Sequence, residues 1–186
     1  MPKVSDEHLA ARRAEILAGA RRAFAQHGYE GATVARLEAE TGLSRGAIFN
    51  YFADKLDLFL ALAGDDSRRW LADFDETGID GLLRRVAGED PAWSRVYFEV
   101  LRRATTDPEF AARLEQAEAE PEQRAAGSHI EELQQAGVLR DDVDRKTIAN
   151  LVNLLAYGLL MFNVVGDKAD IEGVLDLVHR GIDAPK

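Results

Sequence analysis

Apolar residues recur at helical spacing along almost the whole of this chain, and no stretch alternates apolar and polar residues as a strand would. The first such stretch covers about residues 6–27 and places Ile16, Leu17 and Phe24 on one face. Glycines and helix-capping residues separate the stretches that follow. The chain has 186 residues, of which 46% are hydrophobic, and this is enough to bury a sizeable core. The pattern predicts an all-α fold.

The composition excludes several classes of function. The chain has no cysteine, so disulfide scaffolds, cysteine-type zinc sites and thiol catalysis are ruled out. Its four histidines have no paired metal-ligand spacing, and it lacks the GxSxG, P-loop and GxGxxG motifs. The N-terminal residues MPKVSDEHLA lack the apolar core of a signal peptide. We expect a cytoplasmic protein that is not an enzyme, with no catalytic residues, no metal site and no required cofactor.

Charge is divided unevenly along the chain. The net charge is −10, but residues 1–55 carry eight basic and seven acidic side chains, whereas residues 56–186 carry 15 basic and 26 acidic ones. An acidic total argues against nucleic-acid binding because phosphate repels it. Here the acidic excess lies outside the N-terminal third, so the charge pattern predicts two regions with different partners.

Residues 33–52, TVARLEAETGLSRGAIFNYF, have the spacing of a helix-turn-helix. Thr33 and Ser44 are placed as N-caps of two short helices, and Gly42 lies in the turn between them. In a helix-turn-helix, the N-terminal residues of the second helix meet bases and phosphates in the major groove. The predicted DNA-binding residues are Thr33, Ser44, Arg45, Gly46, Asn50, Tyr51 and Lys55.

These residue types suit different parts of a DNA duplex. The Ser44 hydroxyl and free backbone N–H groups of the first helical turn suit a phosphate. Arg45 suits a guanine edge or a phosphate, Asn50 suits adenine, and Gly46 permits close approach. The remaining predicted DNA-binding residues are expected to hold backbone phosphates: Thr33, Tyr51 and Lys55.

The alternative is a purely structural hairpin. Short helical hairpins with a glycine turn occur in many all-α domains, and in such a domain Ser44 would be only a cap.

The stretch from Ile16 to Leu62 resembles the DNA-binding region of the TetR family of bacterial transcriptional regulators. The matching elements are FAQHGYEGATV (24–34) and TGLSRGAIFNYFADK (41–55). The resemblance implies a homodimeric regulator, commonly a repressor, that binds palindromic double-stranded DNA and responds to a small-molecule effector. It divides the chain into a helix-turn-helix DNA-binding domain, residues 1–54, and a helical ligand-binding and dimerisation domain, residues 55–186. Glu38 stands where alanine is commoner, and we expect it to pair with a nearby arginine.

Within the family, the DNA-binding third is most similar to the actinobacterial aconitase repressors. This similarity implies control of citrate-cycle genes, with citrate and a divalent metal as a candidate effector. The sensing half departs from that pattern, so no ligand residues are carried over from it. The alternatives are a helical protein that binds a small molecule without binding DNA, and a structural helical bundle.

Residues 145–165 form a strongly apolar predicted helix, one side of which is wholly apolar. We expect that side to pack, together with the last helix, against the same helices of a second subunit. The alternative is an ordinary monomeric core. The length also suits a membrane span, but the asparagines within it and the lack of a Lys/Arg cluster favour no membrane. The predicted dimer residues are Leu151, Leu155, Leu159, Phe162, Ile171, Val174, Leu175 and Val178.

The opposite side of the same helix carries polar groups, which we expect to face the interior of the subunit. A mostly apolar cavity with a few convergent polar groups is the usual form of a small-molecule site. The alternative is that these side chains only fill the core. The predicted ligand-binding residues are Trp93, Tyr97, His129, Asn150, Asn153 and Tyr157.

Overall fold

A computed structural model describes residues 6–118 and 129–184, and within those ranges the protein is helical apart from one isolated bridge between Leu139 and Asp183. The all-α prediction is confirmed. The helices are α1 (Asp6–Gly31), α2 (Val34–Thr41), α3 (Arg45–Phe49), α4 (Lys55–Ala87), α5 (Pro91–Ala104), α6 (Pro108–Glu118), α7 (129–135), α8 (Arg145–Val165) and α9 (Ile171–Ile182).

Three glycines with positive φ interrupt or end the first helices. Gly28 has φ 72° and ψ 172°, so the regular part of α1 stops there, as its sequence position predicts. Gly42 has φ 69° and forms the left-handed C-cap of α2. Gly78, with φ 67°, divides α4 into two helical segments. L-residues with a side chain rarely adopt these angles, which explains the choice of glycine.

The chain folds into two compact units. Unit 1 comprises Met1–Asp65 and Arg95–Leu114, and unit 2 comprises Asp66–Ser94 and Glu115–Lys186. The boundaries of the compact units do not coincide with residue 54, because the C-terminal part of α5 and the N-terminal part of α6 pack with α1 and the start of α4. The division into a DNA-binding domain, residues 1–54, and a ligand-binding and dimerisation domain, residues 55–186, stays a prediction.

The core of unit 1 is aromatic. Tyr29 stacks on Phe24 with ring centroids 5.7 Å apart, and it meets Phe59 edge-on at 5.9 Å. Phe110 of α6 meets Tyr29 at 5.8 Å, and Tyr97 of α5 meets Phe59 at 5.4 Å. Offset and edge-on aromatic pairs stabilise a core beyond the area they bury. These pairs explain why the segment 95–114 belongs to unit 1.

The core of unit 2 is mainly aliphatic, with two buried aromatic side chains, Phe74 and Trp93, and one buried carboxylate. Leu83, Ile148 and Leu160 are among its fully buried residues, and Trp93 is 1% exposed. The indole N–H of Trp93 donates to the carboxylate of Asp66 at 2.7 Å, and Asp66 is itself buried. This bond satisfies two polar groups that would each be costly to bury alone.

Helix α8 is apolar on more than one side. Its buried side includes Ile148, Val152 and Leu160, whereas Leu154 is 71% exposed and Val165 is 61% exposed. By length and composition, α8 is also the one helix in the described ranges that is apolar enough to cross a membrane. That is weak evidence for a span, because helices of soluble proteins pass the same test.

Candidate nucleic-acid interface

The tight turn between α2 and α3 is built from backbone bonds. The N–H of Gly42 donates to the carbonyl of Glu38 at 2.9 Å, which closes the C-terminus of α2. Ser44 is the N-cap of α3, and its hydroxyl accepts the N–H of Ala47 at 3.4 Å. Thr33 takes the predicted N-cap position of α2, but its side chain makes no capping bond. The sequence therefore predicted the place of both caps correctly, and α3 ends at Phe49.

Helix α3 has one buried and one open side. Ile48 on its inner side is 0% exposed, and Phe52, which follows the helix, is 4% exposed, so both lie in the core of unit 1. A Cβ placed on Gly46 would have nothing within 4 Å, so this position is open to a close approach from outside. The open side, called the α3 surface below, consists of Ser44, Arg45, Gly46 and Asn50, which are exposed, and Tyr51, which is half-buried. The structure thus brings five of the seven predicted DNA-binding residues onto one surface.

Two backbone N–H groups at the start of α3 already have partners inside the protein. The carboxylate of Glu38 accepts the N–H of Arg45 at 2.6 Å, and Ser44 accepts that of Ala47. The prediction that the first-turn N–H groups are free for a phosphate is therefore wrong for these two. The expected partner of Glu38 is corrected as well, because it is the main chain of Arg45 and not an arginine side chain. N–H groups at a helix start lack an intrahelical acceptor and attract one from elsewhere.

The ammonium group of Lys55 also has partners inside unit 1. It donates to the carbonyl of Tyr29 at 2.8 Å and lies 4.5 Å from the centroid of the Tyr29 ring. Glu30 lies 3.5 Å away as an ion-pair partner. Lys55 thus ties the start of α4 to the end of α1, a role that the sequence did not predict. Its contact with phosphate stays a prediction, as does that of the exposed Thr33.

Side chains from α5 and α6 hold the elements behind the α3 surface. The carboxylate of Glu99 accepts the N–H of Tyr29 at 2.7 Å, in the left-handed turn at Gly28. A Cβ on Gly28 would lie 2.5 Å from a Glu99 oxygen, so this close approach also requires glycine. Arg103 donates to Glu30 at 2.9 Å.

The start of α4 is held in the same way. Both guanidinium Nη atoms of Arg113 donate to the carboxylate of Asp54, at 2.8 and 3.2 Å. Hydrogen bonding to Arg113 lowers the pKa of Asp54. Asp54 also accepts the N–H of Asp57 at 3.0 Å, while Asp57 accepts the N–H of Ala53 at 2.9 Å, which is a reciprocal cap. Sequence reasoning missed Glu99 and Arg113 because long-range pairs leave no periodic pattern.

The residues predicted to bind a small molecule are divided between the two units. Trp93 is buried with its polar atom bonded to Asp66 in unit 2, and Tyr97 packs on Phe59 in unit 1. The ring of His129 lies 4.8 Å from that of Phe74, and its Nδ1 lies 3.3 Å from Asp75.

The predicted polar stripe on α8 points outward. The prediction that it faces the interior of the subunit is wrong, because the core side of α8 is the one that carries Ile148, Val152 and Leu160. The residues whose predicted inward orientation is corrected are all exposed in this chain: Asn150, Asn153 and Tyr157. A ligand-binding role for the six predicted residues stays a prediction.

The predicted dimer residues divide between core and surface. Leu159, Leu175 and Val178 are buried within the chain, at 6%, 2% and 6% exposure, so they are not available as an outer face. Leu151 and Phe162 are exposed, and the others are intermediate: Leu155, Ile171 and Val174. On a helix that is apolar all round, spacing alone does not say which side meets the chain's own core. The outward apolar surface, called the α8 surface below, consists of Leu151, Leu154, Tyr157, Met161, Phe162 and Val165, with Leu177 of α9.

Comparison with known proteins identifies the class. Residues 16–62 match the family described as bacterial regulatory proteins, tetR family, and residues 76–184 match the family described as BetI-type transcriptional repressor, C-terminal. The second match covers more than half of the chain. The protein therefore belongs to the TetR family of bacterial transcriptional regulators.

Similar proteins agree along the full length. The chain is 40% identical to the HTH-type transcriptional repressor Rv1474c of Mycobacterium tuberculosis, over 98% of each chain. It is also 40% identical to the HTH-type transcriptional repressor AcnR of Corynebacterium diphtheriae, over 98% of this chain and 97% of that one. These matches show a DNA-binding transcriptional repressor of a non-enzymatic family, as the helix-turn-helix predicted. The alternative of a helical protein that does not bind DNA is thereby set aside.

Solved structures agree in fold. GusR of Salmonella enterica superposes with a TM-score of 0.73 at 21% identity, covering 96% of this chain and 97% of that one. A transcriptional regulator from Saccharomonospora viridis, solved in complex with choline, gives a TM-score of 0.66 at 21% identity over 95% and 100% of the two chains.

Proposed function

We propose that the protein is a homodimeric repressor that places one α3 surface in each half-site of a palindromic operator. The observation that carries this proposal is the α3 surface itself, which holds Ser44, Arg45 and Asn50 exposed on a helix anchored by Ile48. Two copies related by a two-fold axis read half-sites about 34–36 Å apart, or a multiple of that. Base contacts would come from Arg45 and Asn50, and phosphate contacts from Ser44 and Tyr51.

The proposed dimer forms through the α8 surface. Its side chains include Leu154 and Val165, which are more than half exposed, together with Leu177 at 66%. Monomeric soluble proteins rarely expose contiguous apolar patches of this kind, and a second copy would cover them. Homodimers are also typical of the family, and a two-fold axis matches a palindromic operator.

The proposed repressor responds to a small-molecule effector in the cytoplasm. The relatives named AcnR and the resemblance to aconitase repressors make citrate, in the control of citrate-cycle genes, the first compound to test. In residues 6–118 and 129–184, no group of three or more His, Asp or Glu side chains is placed to hold a metal ion. Mg²⁺ is tested as an addition to citrate.

Operator selection from random duplexes tests the DNA-binding proposal. We expect enrichment of one palindrome, and we expect Arg45→Ala with Tyr51→Phe to weaken its binding by about 100-fold or more, because two subunits each lose a base and a phosphate contact. Helicity and dimerisation should not change. Arg180→Ala is the matched control, because it removes an exposed arginine from α9 and should leave binding intact.

Two results would contradict the proposal. One is selection without any palindrome at moderate salt, and the other is normal operator binding by the double variant. The same complex tests the effector, since citrate, with and without Mg²⁺, should change operator affinity. A ligand shifts that affinity only as far as it prefers one conformer over the other. No change with either addition would reject citrate.

A further inference from the structure

Glu38 makes two bonds across the turn of the helix-turn-helix. Its carbonyl accepts the N–H of Gly42 at 2.9 Å, and its carboxylate accepts the N–H of Arg45 at 2.6 Å. The first bond closes α2, and the second holds the first residue of α3. One residue of α2 is therefore bonded to the turn and to the first residue of α3.

The same carboxylate places a negative charge beside the α3 surface. The acidic residue nearest to it on α2, Glu40, is paired with Arg22 at 3.1 Å. In the described residues no ion pair involves Glu38, whose partner is the neutral amide of Arg45. The sequence has no further acidic residue from Thr41 to Ala53. Glu38 is thus a carboxylate that has no ion-pair partner in the described residues and that lies beside the first residue of α3.

Glu38 contributes differently to the two modes of DNA binding, because its charge acts in both and its bond to Arg45 matters in one. Binding to random sequence depends on phosphate contacts, so repulsion between the carboxylate and phosphates weakens it directly. Binding to an operator meets the same repulsion but also depends on base contacts, which require α3 to be correctly placed. The bond from Glu38 to Arg45 supplies that placement.

We propose that Glu38 is a specificity-determining residue, which lowers affinity for random DNA by repulsion while positioning α3 to read the operator. This inference rests on the DNA-binding role of the α3 surface proposed above. It predicts that the charge and the hydrogen bond have separable effects, the charge lowering affinity for both kinds of DNA and the bond acting on the operator alone.

Three variants separate these effects. Glu38→Gln removes the charge and keeps an acceptor for the Arg45 N–H, whereas Glu38→Ala removes both. Glu109→Gln is the matched control, because it removes an exposed carboxylate from α6 in the same unit. Affinities are measured for the selected operator and for a scrambled duplex of equal length, at low and moderate salt.

We expect Glu38→Gln to bind the scrambled duplex about three- to tenfold more tightly at low salt, because each subunit loses a repulsive charge near the phosphates. The operator should gain less, because the neutral amide oxygen of glutamine accepts the Arg45 N–H more weakly than a carboxylate does and so holds α3 less firmly. The ratio of the two affinities should therefore fall. Glu38→Ala should bind the operator more weakly than Glu38→Gln while keeping the gain on the scrambled duplex. The gain of each variant on the scrambled duplex should shrink at moderate salt, where charges are screened.

The proposal is overturned if Glu38→Gln and the Glu109→Gln control change scrambled-duplex affinity equally, since Glu38 would then only close a turn. It is also overturned if the two affinities rise by the same factor. If Glu38→Ala does not fold, Glu38→Gln alone decides. If the wild-type protein binds the selected and scrambled duplexes equally, the proposed operator function itself is wrong. Failure of that function is therefore distinguishable from failure of the role proposed for Glu38.

Discussion

The two compact units differ in where their large apolar side chains lie. Of the nine large apolar side chains exposed in the described residues, eight belong to unit 2 and one, Leu9, belongs to unit 1. Unit 1 completes its aromatic core within the chain and leaves a polar surface at α3. Unit 2 leaves a row of apolar side chains on α8 that its own core does not cover. The difference agrees with the proposal above, in which unit 1 binds DNA through the α3 surface and unit 2 meets a second copy through the α8 surface.

The largest expected effect comes from placing a charge on the α8 surface. We expect Leu154→Glu to convert the proposed dimer to monomer at micromolar concentration, with dimer affinity reduced by about 100-fold or more, because two carboxylates would be buried without partners. Sedimentation equilibrium measures the change. Operator affinity should fall with it, since each monomer would read only one half-site.

Leu9→Glu is the matched control for that substitution. Leu9 is also an exposed leucine, at 42%, but it lies on α1 in unit 1. This variant should stay dimeric. If both variants dissociate, or if neither does, the contrast between the two units does not locate the interface.

A medium effect on the stability of unit 1 is expected from replacing the glycines at two of its turns. Gly28 and Gly42 both have positive φ, but a Cβ on Gly28 would lie 2.5 Å from Glu99, whereas a Cβ on Gly42 would meet nothing within 4 Å. We expect Gly42→Ala to lower the free energy of unfolding by about 1 kcal/mol and Gly28→Ala to lower it by about 2–3 kcal/mol. Urea unfolding measures both.

A double-mutant cycle separates the clash at Gly28 from its backbone strain. In a Glu99→Ala background the carboxylate is gone, so the cost of Gly28→Ala should drop by about 1 kcal/mol. An unchanged cost would mean that backbone strain alone accounts for the glycine. It would also mean that the approach of Glu99 does not constrain this turn.

Local features were predictable from the sequence, and long-range ones were not. Gly28, Gly42 and Ser44 act on their own neighbours, so their effects on helix ends follow from residue type alone. The orientation of α8 depends on which side other helices cover, and its apolar residues on several sides gave no unique answer. The prediction therefore turned Asn150 and Asn153 inward, although both are exposed.

In the candidate site, too, the local features were predictable from the sequence and the long-range contacts were not. The outward position of Arg45 and Asn50 follows from helical periodicity, with Ile48 directed into the core. The bond from Glu38 to the Arg45 N–H requires the exact path of the turn, which periodicity does not give. The pairs that join Glu99 to Tyr29 and Arg113 to Asp54 connect residues 70 and 59 positions apart, beyond the reach of any local pattern.

The smallest expected effect is a pH dependence confined to unit 2. The ring of His179 on α9 lies between two carboxylates, with Nε2 2.6 Å from Asp80 and Nδ1 3.1 Å from Asp183. Hydrogen bonding to Asp183 is the largest cause that raises the pKa of His179 above 6.5, and hydrogen bonding to Asp80 is the second. Arg84 also faces Asp80, at 3.4 Å, and shares that carboxylate with the histidine.

A raised histidine pKa stabilises the folded protein while the ring is protonated. The contribution is complete below pH 6.5, the ordinary value, and is lost as the pH rises through the raised value of the folded state. Because the His179 side chain is 43% exposed, solvent screening reduces the expected loss to about 0.5 kcal/mol. Urea unfolding at about pH 6 and about pH 8.5 should show this decline in the wild type and not in His179→Gln. His27→Gln is the control, because it removes a histidine from unit 1 and keeps His179, so it should show the same decline as the wild type. If His179→Gln and His27→Gln decline equally, the group responsible is not His179. The pH dependence of stability would then not distinguish unit 2 from unit 1.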